Sequence, residues 1–153
     1  MRYYKQKHYK NVLVGFEFFQ LGADWQVLLY NNTRFISLKD GKLVVKYGYA
    51  WDGASGPVFQ TKTLIAASLL HDALYQILRD LKIEDGRYRE EADEMLRDYY
   101  LELCLKSYPT NSLKHRALKK LAKTRSRYIF WAVRKFGEQA NKKANKPRKI
   151  YEV

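Results

Sequence analysis

Cysteine is almost missing from this chain: Cys104 stands alone. A single thiol excludes an intramolecular disulfide framework and a cysteine-rich zinc site, so packing must hold the fold, as in a reducing compartment. Long apolar runs are missing too. No stretch approaches the roughly 20 apolar residues that a membrane-crossing helix needs. The opening residues Met1-Arg2-Tyr3-Tyr4-Lys5 lack the apolar run of a signal peptide. A soluble protein is therefore expected. Acidic residues are scarce in one place only. Residues 108 to 153 hold 14 Lys and Arg against 2 Asp and Glu, a net of +12, whereas residues 1 to 107 hold 15 against 14, a net of +1. The total of +13 thus belongs to the last third. Such a block draws polyanions, and its sign alone does not choose among nucleic acid, anionic lipid and an acidic protein. A solvated helical face with a loose tail would carry the same charges.

What is present is enough for a core. Hydrophobic residues make up 46% of 153 and aromatics 15%, which suits one α+β domain, expected over residues 1–139, with a basic, flexible and unstructured tail expected over 140–153. Residues 12 to 47 read as strands: Val12-Leu13-Val14, Phe16 to Phe19, Gln26 to Tyr30, Arg34 to Leu38 and Leu43 to Tyr47 are rich in β-branched and aromatic types. Asn31-Asn32 is a turn signal, and Asp40-Gly41 suits a two-residue hairpin. From about Thr61 the period changes. Leu64, Ala67, His71, Leu74 and Leu78 fall at helical spacing; after Asp85-Gly86, so do Tyr88, Ala92, Met95, Leu96, Tyr99 and Leu103. Past Pro109, a third helix capped near Thr110 to Ser112 and a fourth capped by Thr124 and ending at Gly137 are expected. The fold class is α+β, a small N-terminal antiparallel sheet followed by three to four helices.

The chemistry concentrates between Tyr47 and Tyr75. Asp52, flanked by Gly53 and Gly56, lies in a loop able to turn carbonyl oxygens toward a cation. His71 and Asp72 diverge by about 100° on a helix, so one of them must look toward a polar niche. Tyr75 lies near both. If the next helix packs antiparallel, Asp93 reaches the His71 ring and fixes its tautomer. That arrangement gives a base, His71, an orienter, Asp93, and a supporting hydroxyl, Tyr75, with Asp72 and Asp52 free for a metal. A satisfied hydrogen-bonded pair inside a buried helix is the plainer reading of the same residues. Ser55 sits in no Gly-x-Ser-x-Gly elbow. His8 and His115 read as surface residues, and Trp25, Trp51 and Trp131 as packing rather than a stacking platform.

Trp51-Asp52-Gly53-Ala54-Ser55-x-Pro57, Leu70-His71-Asp72-x-x-Tyr75, Arg89 to Asp93, and Ala132-Val133-Arg134-x-Phe136-Gly137 together resemble the phage and prophage family known as domain of unknown function 1353. The resemblance implies a phage or prophage origin, a pocket shared by Asp52, His71, Asp72 and Asp93, and no established reaction; a place in the host cytoplasm or the virion, with other phage proteins as partners, is expected. Tyr47-Gly48-Tyr49 with the glycine-rich loop, then His71-Asp72-x-x-Tyr75 and Asp93, also looks like the order of parts in secreted phospholipases A2. That likeness implies a hydrolase: His71 as base, Asp93 as its orienter, Asp72 on Ca2+ or another divalent cation. The chain departs from that family in its near absence of cysteine. Against these stands a non-enzymatic virion or host-interaction protein in which the cluster pins helices together. For polyanion binding, on an envelope lipid surface or on nucleic acid, the candidates are Lys119, Lys120, Lys123, Arg125, Arg127, Lys142, Lys143, Arg148 and Lys149.

Overall fold

The Asp40-Gly41 pair turns the chain as its type requires, with φ of 50° and 72°. It joins two strands in a computed structural model that describes residues 1–5, 11–31, 33–54, 56–110 and 112–144, the side chains of 138–144 excepted. In chain order the elements are β1 (Tyr3–Tyr4), β2 (Asn11–Leu13), β3 (Glu17–Gln20), α1 (Ala23–Gln26), β4 (Ile36–Lys39), β5 (Lys42–Val45), β6 (Ala50–Trp51), α2 (Lys62–Asp80), α3 (Gly86–Lys106) and α4 (Leu113–Ala144). This is an α+β fold.

Two three-stranded antiparallel sheets replace the single sheet expected, in the orders β1-β2-β6 and β3-β5-β4. In the second, Leu38, Leu43 and Phe19 share one row and Ile36 and Val45 another; the four aliphatics are fully buried, as alternation demands. The strand expected at 26 to 30 does not form. Trp25 is drawn into the core with its indole N–H donating to Glu91 at 2.9 Å, which curls residues 23–26 into α1. Val27 and Leu29 are left exposed, and Tyr30 makes only a single bridge with Leu38.

Thr61 caps α2, its hydroxyl accepting from the Leu64 amide at 3.2 Å, and Asp85 caps α3. The two helices run antiparallel: Tyr75 meets Asp93, while Leu64 and Ala67 share a core cluster with Leu96, Tyr100 and Cys104. The third and fourth helices expected are one helix, α4. Thr124, read as a cap, lies inside it and donates to the Lys120 carbonyl at 3.3 Å, the bond to the preceding turn that a mid-helix threonine can make. Gly137 does not stop it either: it is buried within α4 beside the Tyr75 hydroxyl, which a Cβ there would meet at an ordinary contact distance of 3.6 Å. Helix therefore extends through Ala144, five residues into the tail expected to be unstructured. His8, Asn32, Ser55, Asn111, Arg148 and Lys149 lie outside the described residues.

Candidate functional site

His71 lies in the middle of α2, 2% exposed, and each ring nitrogen faces a carboxylate. Nε2 is 2.7 Å from Asp93 Oδ1, and Nδ1 is 3.4 Å from Asp72 Oδ1. Asp93, on α3, is fully buried and gathers several donors. The Tyr75 hydroxyl donates to Oδ1 at 2.7 Å, and the Arg134 guanidinium, from α4, approaches Oδ2 at 3.4 Å. Arg89 completes the group. Its Nε donates to the Tyr75 oxygen at 3.1 Å and its Nη2 to the Arg134 carbonyl at 3.2 Å. One buried carboxylate thus ties α2, α3 and α4 together.

The His71–Asp93 contact expected from an antiparallel pair is present, and Tyr75 joins it. Asp72 turns outward as the divergence along the helix requires, its side chain 23% exposed against 3% for His71. Asp52 is exposed in the loop after β6. The sequence reading missed Arg89 and Arg134. Arg89 occurs one turn before Asp93, a visible signal; Arg134 joins only if α4 is continuous, which the apparent cap at Thr124 concealed.

Electrostatics decide what His71 can do. Burial, the largest single influence, disfavours the imidazolium, but hydrogen bonds and charge from Asp72 and Asp93 together outweigh it and raise the pKa from 6.5 to about 9. At neutral pH the ring therefore carries a proton. A group that already holds its proton, with both nitrogens engaged, is poorly placed as a resting general base. Burial pushes the Asp72 carboxyl upward, His71 pulls it back, and the nearby Asp52 raises it again. Burial and Asp93 push the Tyr75 phenol above its usual range.

The fit to a divalent cation is poor. Calcium takes six to eight oxygen ligands, whereas the carboxylates expected to hold it are two, Asp72, which lies 3.4 Å from His71 Nδ1, and Asp52, exposed in its loop. Among the described residues no group of three His, Cys, Asp or Glu side chains could hold a metal ion. The loop that carries Asp52 is shaped by internal contacts instead. The Trp51 indole donates to the Ile65 carbonyl and the Ser68 hydroxyl, each at 3.2 Å, and Gln60 donates to the Ala54 carbonyl at 2.8 Å. From α4, Tyr128 donates to the Pro57 carbonyl at 2.9 Å and Arg125 to the Phe59 carbonyl at 2.5 Å. A cleft of about 310 Å³ opens elsewhere, between α1 and α3, lined by Asp24, Glu91, Glu94 and Asp98.

The basic candidates divide on α4. Lys119 and Arg125 turn toward their own chain, Lys119 donating to the Thr110 carbonyl at 3.2 Å and Arg125 to Phe59. Lys120, Lys123 and Arg127 are exposed. Lys142 and Lys143 belong to the last turn of α4, with side chains outside the described set. His115, expected at the surface, is partly covered and lies against Thr110 and Tyr108. Of the three tryptophans, Trp25 and Trp51 are buried as expected, but Trp131 is 48% exposed. It stacks on Tyr128 with centroids 5.8 Å apart, and the Lys135 ammonium lies 5.0 Å over its ring.

No family model, no curated protein and no solved structure matches this chain.

Proposed function

We propose that the chain is a non-enzymatic attachment protein of phage type that engages a polyanionic surface through α4, with the His71–Asp93 cluster as the internal fastener of that helix. One observation carries this reading: among the described residues α4 is the helix richest in exposed Lys and Arg, and it is held to the body by a buried charged node, while His71 and Asp93 themselves are closed. Lys120, Lys123 and Arg127 reach solvent, whereas His71 and Asp93 are 2% and 0% exposed. A catalytic centre needs a reacting group that substrate can touch. Asp93 satisfies three protein donors and His71 is already protonated at neutral pH.

Electrostatic attachment has a defined signature. Affinity for a sulfated polymer such as heparin should fall steeply as salt rises, because each neutralised anion releases counterions. Replacing Lys120, Lys123 and Arg127 together by Ala should flatten that dependence. Salt-insensitive heparin binding, or none, counts against attachment. The phospholipase-like reading is separable: calcium-dependent release of lysophospholipid from anionic liposomes, lost in His71→Gln, would replace the fastener with a catalytic His71.

A further inference from the structure

The cationic face of α4 also exposes large apolar side chains, an arrangement that a purely electrostatic surface does not need. Leu113 is 83% exposed, Leu121 63%, Trp131 48% and Tyr128 44%. At about 100° per residue, these four share an outward arc of about 120° with Lys120, Arg127 and Lys135. The helix spends its inward face on the core, where Ile129, Ala132 and Val133 are fully buried. The loop after β6 extends this surface at its Tyr128 edge. Tyr128 and Arg125 hold the Pro57 and Phe59 carbonyls against α4, and the Phe59 side chain is 80% exposed. Apolar side chains interleaved with cations, with a tryptophan and a tyrosine among them, match the chemistry of a bilayer interface: acyl boundary below, anionic headgroups around.

Resting on the attachment reading above, we infer that the polyanion is an anionic lipid bilayer, and that Phe59, Leu121, Tyr128 and Trp131 enter its interface while Lys120, Arg127 and Lys135 meet the headgroups. Nucleic acid is the competing polyanion, and Trp131 stacked on Tyr128 would suit a base. A phosphate polymer, however, gives Leu113, Leu121 and Phe59 nothing to contact. A bilayer accepts all of them, and the long Lys and Arg side chains reach outward to the headgroup level.

The chain contains its own reporter, because Trp25 and Trp51 are buried and Trp131 is the half-exposed indole. The experiment is co-sedimentation and tryptophan emission of the full chain with phosphatidylcholine vesicles, with and without phosphatidylglycerol, beside fluorescence anisotropy with single-stranded and duplex DNA. Expected are binding that requires phosphatidylglycerol, a blue shift of emission on binding, and a loss of about tenfold or more in vesicle affinity for Phe59→Ser/Leu121→Ser. Heparin affinity should be unchanged in that variant, and its circular dichroism should match the parent. Vesicle binding without a blue shift and indifferent to the double substitution would overturn insertion and leave electrostatic attachment standing. DNA bound more tightly than vesicles would overturn the choice of lipid. Failure to bind heparin, vesicles and DNA alike would overturn the attachment reading together with this one.

Discussion

The buried node around Asp93 and the outward face of α4 use the same residue types in opposite ways. In the node, Arg134, Tyr75 and protonated His71 meet one carboxylate and Arg89 braces the Tyr75 hydroxyl and the Arg134 carbonyl; on the outward face, Lys120, Lys123 and Arg127 are exposed, as is Trp131. Inside, a charge is tolerable only when fully partnered, so each member constrains the next and removal of one strands the others. Outside, solvent screens each charge, and the cations are replaceable one at a time. The node should therefore govern stability and the face should govern attachment, and experiments that confuse the two would break the comparison.

The largest effect is expected at Asp93. Asp93→Ala leaves an imidazolium and a tyrosine hydroxyl without their acceptor in a closed site, so unfolding free energy in urea should drop by about 3–5 kcal/mol. A drop below about 1 kcal/mol would mean that the node is hydrated and not a fastener.

Next comes pH. The folded pKa of His71 is raised from 6.5 to about 9. Below the unfolded value both states hold the proton and the full contribution is present. As pH rises from 6.5 toward 9 the unfolded chain releases its proton while the folded one keeps it, so stability falls across that window, by about 3 kcal/mol at most. His71→Gln retains a donor but does not titrate, and its stability should be flat over the same range. A parent profile as flat as the variant's would show that the ring is neutral when folded.

Smaller again is the loop. Gly53 has φ of +92°, and a Cβ there would stand 2.7 Å from Gln60 Oε1, so Gly53→Ala should cost about 1–3 kcal/mol by thermal melting. The loss belongs to the scaffold beneath Phe59. Its absence would imply that the loop can reshape freely, and with it the proposed edge of the attachment surface.

How much of this was legible in the sequence follows from which signals are local. The helices α2 and α3 were legible because apolar residues recur at helical spacing and Thr61 and Asp85 mark their starts. The His71–Asp93 pair needed only the further step that two helices joined by a short link pack antiparallel. The α4 helix is misread from sequence because Thr124 and Gly137 are a cap and a stop elsewhere, whereas here Thr124 bonds back to the Lys120 carbonyl within the helix and Gly137 packs beside Tyr75. That error hid Arg134. The strands β1 and β6, two residues each, are too short to carry an alternation, so the β1-β2-β6 sheet leaves no pattern to read. Trp131 reads from sequence as packing because a wide apolar set from 128 to 136 does not say which members lie past the edge of the buried arc.

The smallest effect tests the outward face, and it is small by construction. A single exposed cation contributes about 1 kcal/mol near an anionic lipid surface, so Lys120→Ala and Arg127→Ala should each weaken vesicle binding only about fivefold. Neither should change unfolding free energy by more than about 0.5 kcal/mol, since Lys120 and Arg127 are exposed. The two losses should add, because solvent-separated charges couple weakly. Strong non-additivity in binding would mean that the face acts as a built pocket rather than a field of charge. An equally large loss of stability would place these cations with Arg134, inside the structure that holds α4 rather than on the surface it presents.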